Sequence, residues 1–287
     1  AYAMLSRVYL HRREWDKVIE MNDKVKACGY ELESDPITPF NNYSTNSESI
    51  FSCENSANDN GSVNGAMFSM FSCRSGARYL VSMSPILVND TRWLQDDKRR
   101  SEYILSSEDA ESSIASYDYQ VYFCDKFRSS TREDYTPVLR LAEVTLNTAE
   151  AYARKGDISS AVTYLNEVRN RALADPATQA YKASDFADKK AAVEAILFER
   201  RVEFLGEGIR WNDIHRLAAD DLCPTGGIPA KVKWTAINGK GNNGFGVEIP
   251  ARTIPAYPTS DRRFLWPIPV GELLYNDVLT AEQNQGW

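Results

Sequence analysis

The sequence predicts a mainly α-helical fold: a tetratricopeptide-like α-α superhelix with a long loop-rich insertion and a few short β-hairpins. Three observations carry the prediction. Helix-pair segments repeat at the start and in the middle of the chain, a Ser-, Asn- and Gly-rich stretch separates them, and the remaining extended segments show alternation or hairpin dipeptides.

The repeat is clearest over residues 139–172, where Leu139, Ala142, Leu146, Ala149 and Ala153 recur at helical spacing, Gly156-Asp157 interrupts, and Ala161, Leu165, Val168 and Ala172 follow. Gly156 suits the left-handed residue that ends a helix, and Asp157 or Ser159 can cap the next. The start of the chain aligns with this segment without a gap, Tyr9 on Tyr152, Trp15 on Ile158 and Val18 on Ala161. Small residues between paired helices and a period of about 34 residues are tetratricopeptide features, and such a unit buries its apolar face only by stacking on a neighbour. Ala1-Tyr2-Ala3-Met4-Leu5 reads as the inside of a helix, so the sequence is expected to be part of something longer, with an exposed apolar face near Leu5, Val8 and Leu10.

Residues 34–90 are expected to be mostly loop, and 116–124, where Tyr117, Tyr119, Val121 and Phe123 alternate, a strand. Residues 185–217 return to helix. A hairpin with strands near 231–237 and 245–249 is expected around Asn238-Gly239 and Asn243-Gly244, before a Pro-punctuated tail that Trp266 and Trp287 anchor. The expected divisions are a partial helix pair at 1–32, a loop-rich region at 33–138, a helix pair plus charged helix at 139–217, and a hairpin and extended tail at 218–287, all one unit.

Composition narrows the function. A net charge of -7 supplies no positive field for a polyanion, so nucleic acid is disfavoured as a partner. No apolar run reaches membrane-spanning length, and no leader is visible. Five cysteines without a CxxC, and His11 and His215 alone as imidazoles, leave little for a metal site. Cys53 and Cys73 flank a polar loop and can pair in an oxidising compartment, but burial as small hydrophobes is the preferred reading of the cysteines.

Three motifs fail their context tests. Gly239–Gly244 matches GxGxxG, but a strand-like segment follows where a dinucleotide site needs a helix. The Asn58-Asp59-Asn60-Gly61 stretch hints at a calcium loop, yet Met67 stands where the bidentate acid belongs. Glu199, Glu203 and Glu207 share one helical stripe, whereas catalytic carboxylates must face each other across a substrate. Interleaved with Arg200, Arg201 and Arg210, they are expected to form a partly buried ion-pair network. No catalytic residue, cofactor or metal ligand is assigned.

Several segments together resemble the SusD/RagB family of outer-membrane nutrient-binding lipoproteins: Asn46–Phe51, Asp96–Arg100, Leu139–Val144 continuing to Ala149-Glu150-Ala151, Leu165–Ala172, the Glu199–Arg216 cluster, Trp266-Pro267-Ile268-Pro269 and Gln283–Trp287. Lys98 and Gln285 stand where the family often has proline. The resemblance implies a cell-surface lipoprotein, its lipid anchor outside this sequence, that lids a TonB-dependent (SusC-like) outer-membrane transporter and captures a nutrient, commonly an oligosaccharide, without catalysis. The 33–138 region is then the ligand side.

The family's ligand contacts lie in variable loops, so the motifs carry no binding residue over. Sugars stack their CH faces on rings and pair their hydroxyls with small polar groups. Asn60, Asn64, Phe68, Arg78, Tyr79 and Trp93 offer that mixture, and Trp234 with Tyr257 is a second candidate. Two other classes stay open: a helical-repeat adaptor that binds protein, and, more remotely, a glycoside hydrolase using Glu199 and Glu203.

Overall fold

The computed structural model describes residues 1–110, 121–233 and 254–276, with positions 245, 252, 278, 279, 283, 284 and 286. In chain order, α1 (Tyr2–Arg12) and α2 (Trp15–Lys26) are followed by the short helices α3 (Thr38–Asn41), α4 (Met67–Phe71), α5 (Pro85–Val88) and α6 (Arg99–Glu102). Longer helices resume with α7 (Leu141–Lys155) and α8 (Ile158–Arg169), then α9 (Pro176–Gln179), α10 (Lys189–Glu203), α11 (Ile209–Arg216) and α12 (Val270–Tyr275). Strands β1 (Ser49–Cys53) and β4 (Thr136–Arg140), β2 (Ile104–Ser106) and β3 (Tyr122–Cys124), and β5 (Gly227–Ile228) and β6 (Tyr257–Pro258) pair antiparallel, two by two.

The repeat is present down to its turns. In the first unit Arg13 takes the left-handed conformation at φ 59°, and in the second Gly156 does so at φ 89°. Both turns close in the same way. The next residue's N–H reaches back five positions, Glu14 to Tyr9 O and Asp157 to Tyr152 O, each at 3.0 Å, as a Schellman motif requires. Asp157 then caps α8 by accepting from the Ser160 N–H at 3.0 Å.

Helix α7 is the axis of the molecule, buried at almost every position from Leu141 to Arg154. Its small residues Ala142, Ala149 and Ala153 let α8 and α10 approach through Ala161, Leu165, Val193 and Ile196. On the other side Ala151 meets Leu10 and Val18 of the first pair. Leu10 therefore belongs to the interior, and the exposed face of α1 is instead Tyr2, Met4, Leu5 and Val8.

Polar groups on a helix buried all round are costly without partners, and apart from Thr145 Oγ1 and Arg154 Nη2 most of those on α7 find them. Glu143 accepts from Arg7 at 2.7 and 2.6 Å, Asn147 accepts from Arg200 at 2.6 Å, and Glu150 is held by Arg154 and Arg216. These pairs fasten α1, α10 and α11 onto α7.

The 185–217 segment is two helices, not one. Gly206 and Gly208 adopt φ of 75° and 79° and break it. At Gly206 a Cβ would lie 2.9 Å from Cys124 Sγ, so the turn passes directly over β3 and only glycine fits. The break lets Asp213 of α11 fold back on Arg200 of α10, at 3.0 and 3.2 Å.

Other expectations fare unevenly. Of the strand expected at 116–124, Tyr122–Cys124 is formed and the part up to 120 lies outside the described residues. The Gly239–Gly244 loop, most of its hairpin, Trp234 and Trp287 also lie outside them. Lys231 bridges to Ile254. All five cysteines are free, with Cys53 exposed and Cys73 buried, and burial pushes the Cys73 thiol up to about 12. Trp266 is 72% exposed, and its ring meets the helical body at Trp211 of α11, 6.0 Å away. No helix among the described residues is long and apolar enough to cross a membrane.

Candidate functional site

The loop-rich region is pinned to the helical body by a buried charge network centred on Glu203, which is 0% exposed. Glu203 takes Arg140 at 2.8 Å, Arg171 at 2.5 Å and Arg99 at 3.0 Å. Arg99 also holds Asp97 and Glu199, Arg140 holds Glu48 and Glu207, and Arg171 holds Glu48. Burial pushes the Glu203 carboxyl up, but the three guanidiniums, Arg171 foremost, more than reverse this, leaving it well below the usual carboxylate range. The acidic stripe is thus part of a buried ion-pair network, as expected, but its partners are Arg99, Arg140, Arg169, Arg171 and Lys126 from other segments rather than the interleaved Arg200, Arg201 and Arg210. Glu199 and Glu203, at 1% and 0% exposure, face no substrate.

Beside this network a cleft of about 300 Å³ opens among Phe68, Arg74, Ser75, Leu105, Asp109, Arg128 and Ser130. Its elements are α4 with the turn after it, β2 and the loop before β4. Arg74 grips the buried Asp125 through Nε and Nη2, both at 2.7 Å. Arg128 donates to Asp125 O at 2.8 Å, Glu102 O at 2.7 Å and the Glu102 carboxylate at 3.1 Å. Asp134 holds the loop by accepting the backbone N–H groups of Arg128 and Ser129 at 3.1 and 2.9 Å. The result is a rigid polar wall with guanidinium and hydroxyl groups at its rim, over an aromatic floor.

Of the sequence-predicted contacts, Phe68 lines this cleft, although it is only 1% exposed and packs into the main core. Trp93 is corrected to a core residue: it is 1% exposed, and Arg100 covers its ring at 4.7 Å. Tyr79 is half-buried, at φ 40°, edge-on to Phe123 and in the small cluster that includes the cleft residue Leu105. Arg78 and Asn64 are exposed. Asn60 closes its own turn, donating to Ser56 O and Ala57 O at 2.9 and 3.2 Å. Tyr257 sits in β6 under the Arg263 guanidinium at 3.6 Å.

Sequence reasoning missed Arg74, Ser75, Asp109, Arg128 and Ser130. They come from three separate segments, and no spacing or periodicity links them.

A model of the SusD family matches residues 41–287. The chain belongs to the SusD family. No curated protein matches it. Its fold is shared by a SusD superfamily protein from Bacteroides fragilis, with 25% identity and a TM-score of 0.70 over 96% of this chain and 55% of that one. A SusD-like carbohydrate binding protein from Bacteroides vulgatus matches at 20% identity and TM-score 0.69, over 99% of this chain and 59% of that one. Surface glycan-binding protein A from Bacteroides uniformis matches at 18% and 0.63, over 99% and 60%. The chain therefore spans a little over half the length of these SusD relatives. The motif segments that carry the family resemblance supply the charge network: Glu48, Asp97, Arg99, Arg140, Arg169, Arg171, Glu199 and Glu203 all fall within them.

Proposed function

We propose that this SusD-family chain is the larger part of a cell-surface glycan-binding lipoprotein that captures an oligosaccharide at the outer membrane and passes it to a TonB-dependent, SusC-like transporter, without cleaving it. The family match over residues 41–287 carries this reading. Relatives of the same fold described as carbohydrate-binding and glycan-binding support it.

The cleft beside Phe68 fits such a role. Its volume is at the lower end of ligand pockets, about 300–1,000 Å³, enough for one end of a glycan rather than a whole chain. Guanidinium, hydroxyl and carboxylate groups at the rim suit sugar hydroxyls, and Arg78, Tyr79 and Asn64 are proposed as flanking contacts.

Arg74 and Arg128 are poor test positions, because removing either leaves the buried Asp125 short of a cation. Ser75 is exposed and lines the cleft without bracing it. Ser75→Trp should fill the cleft and weaken oligosaccharide binding at least tenfold in a calorimetric titration, with an unchanged melting midpoint. Unaltered affinity would move the site elsewhere. Co-elution of the chain with a purified SusC-like transporter tests the partner separately.

A further inference from the structure

Nearly every interior arginine of this protein holds a carboxylate. Arg99, Arg140, Arg154, Arg169, Arg171, Arg200 and Arg216 each make at least one such pair. Arg100, which donates to backbone carbonyls, and Arg132 are half-buried exceptions, and so are Arg201 and Arg210. Both of the latter are half-buried, and neither side chain makes a hydrogen bond or ion pair among the described residues.

The fold brings the two together. Arg201 lies in the last turn of α10, next to Arg200, which is clamped to Asp213 of α11. Arg210 precedes Asp213 by three residues, on the same side of α11, so the clamp carries it alongside α10. Their guanidiniums lie within electrostatic reach of each other. Burial pushes the Arg201 guanidinium down to about 10, with Arg210 adding to the effect, and burial likewise lowers Arg210.

The nearby carboxylates are already taken. Asp213 is shared between Arg200 and Arg216, which reaches it at 2.7 Å. Asp90, the acid facing Arg201, is gripped by Arg92 through two side-chain bonds at 2.9 and 2.7 Å. Arg92 adds another cation, over the Phe198 ring at 4.2 Å. Asp90 and Asp213 thus offset Arg201 and Arg210 only without direct pairing, and two half-buried guanidiniums make no ion pair of their own, which leaves them able to gain from an anion that joins them.

We propose that Arg201 and Arg210 form an oxyanion site that takes a sulfate or carboxylate group, either free or carried on an acidic sugar. Guanidiniums suit both groups because they donate paired, parallel N–H bonds to two oxygens at once. The sugar-borne form rests on the glycan-binding reading; the oxyanion site does not.

Thermal melts in sodium sulfate, against sodium chloride at matched ionic strength, test the site. Sulfate stabilises proteins in general by exclusion from their surface, so the diagnostic quantity is the saturable rise of wild type over variant. We expect wild type to gain roughly 3 °C over Arg201→Gln and Arg210→Gln at saturation. Without anion, both variants should melt no lower than wild type, since no partner is lost, whereas Arg200→Gln, which strands Asp213, should melt much lower. Glucuronate that reproduces the gain while glucose does not would assign the sugar-borne source, and a gain from sulfate alone the free one. A sulfate response equal in wild type and variants, or variants that melt far below wild type without anion, would overturn the proposal. Neutral oligosaccharides binding at the cleft bear on the glycan reading alone.

Discussion

Glu203 shows what a single residue does here. Three guanidiniums converge on it, and Lys126 Nζ donates to its backbone carbonyl at 2.6 Å. Glu203→Gln keeps the shape but leaves the cations short of a charge, so it should cost about 3–5 kcal/mol in urea unfolding. The pH dependence follows from the sign of the shift. The Glu203 carboxyl is held below its unfolded value, so its stabilisation is fully present above about pH 4.3 and is lost as pH falls toward the folded value. Asp213 and Glu150 behave alike: burial pushes each carboxyl up, and neighbouring arginines more than reverse it. Wild type should lose stability steeply below about pH 4, and Glu203→Gln should lose it less steeply, by about one proton. Parallel acid profiles would refute the assignment. At this scale the sequence was half legible. The glutamate stripe announced a buried ion-pair network, but its arginine partners come from distant segments rather than from the interleaved positions, and Trp93 read as a ligand ring because residue type does not reveal burial.

At the scale of elements, the repeat was the most legible feature, because its spacing, capping residue and turn glycine are all local. Gly156 offers a clean test. A Cβ there would meet nothing within 4 Å, so Gly156→Ala changes only the cost of a left-handed backbone. We expect a loss of about 1 kcal/mol in the equilibrium unfolding free energy, and no change would mean that the turn relaxes. The equivalent place in the first unit is Arg13, which accepts the same conformation while reaching Asp220 at 3.4 Å. The break between α10 and α11 was less legible. Gly206 is explained by the close approach of Cys124, a contact between residues far apart in sequence.

For the whole molecule, the exposed α1 residues Tyr2, Met4, Leu5 and Val8, each 36–42% exposed, form an apolar face on one helix. Sedimentation velocity should show concentration-dependent association that Leu5→Asp with Val8→Asp removes without lowering the melting midpoint. Association unchanged in the double variant would place the contact elsewhere. The fold class and family were legible in segments spread along the chain. The cleft was not, because Phe68, Arg74, Leu105, Asp109 and Arg128 meet only after the short helices and strands have packed. The central claim is that this cleft binds an oligosaccharide without cleaving it. A calorimetric titration of wild type and Ser75→Trp against a panel of oligosaccharides, with chromatography of the recovered sugar, tests it most directly. Saturable binding by wild type, weakened at least tenfold in the variant, with the sugar recovered intact, is the predicted result. Cleaved sugar, or equal binding by both proteins, would contradict it.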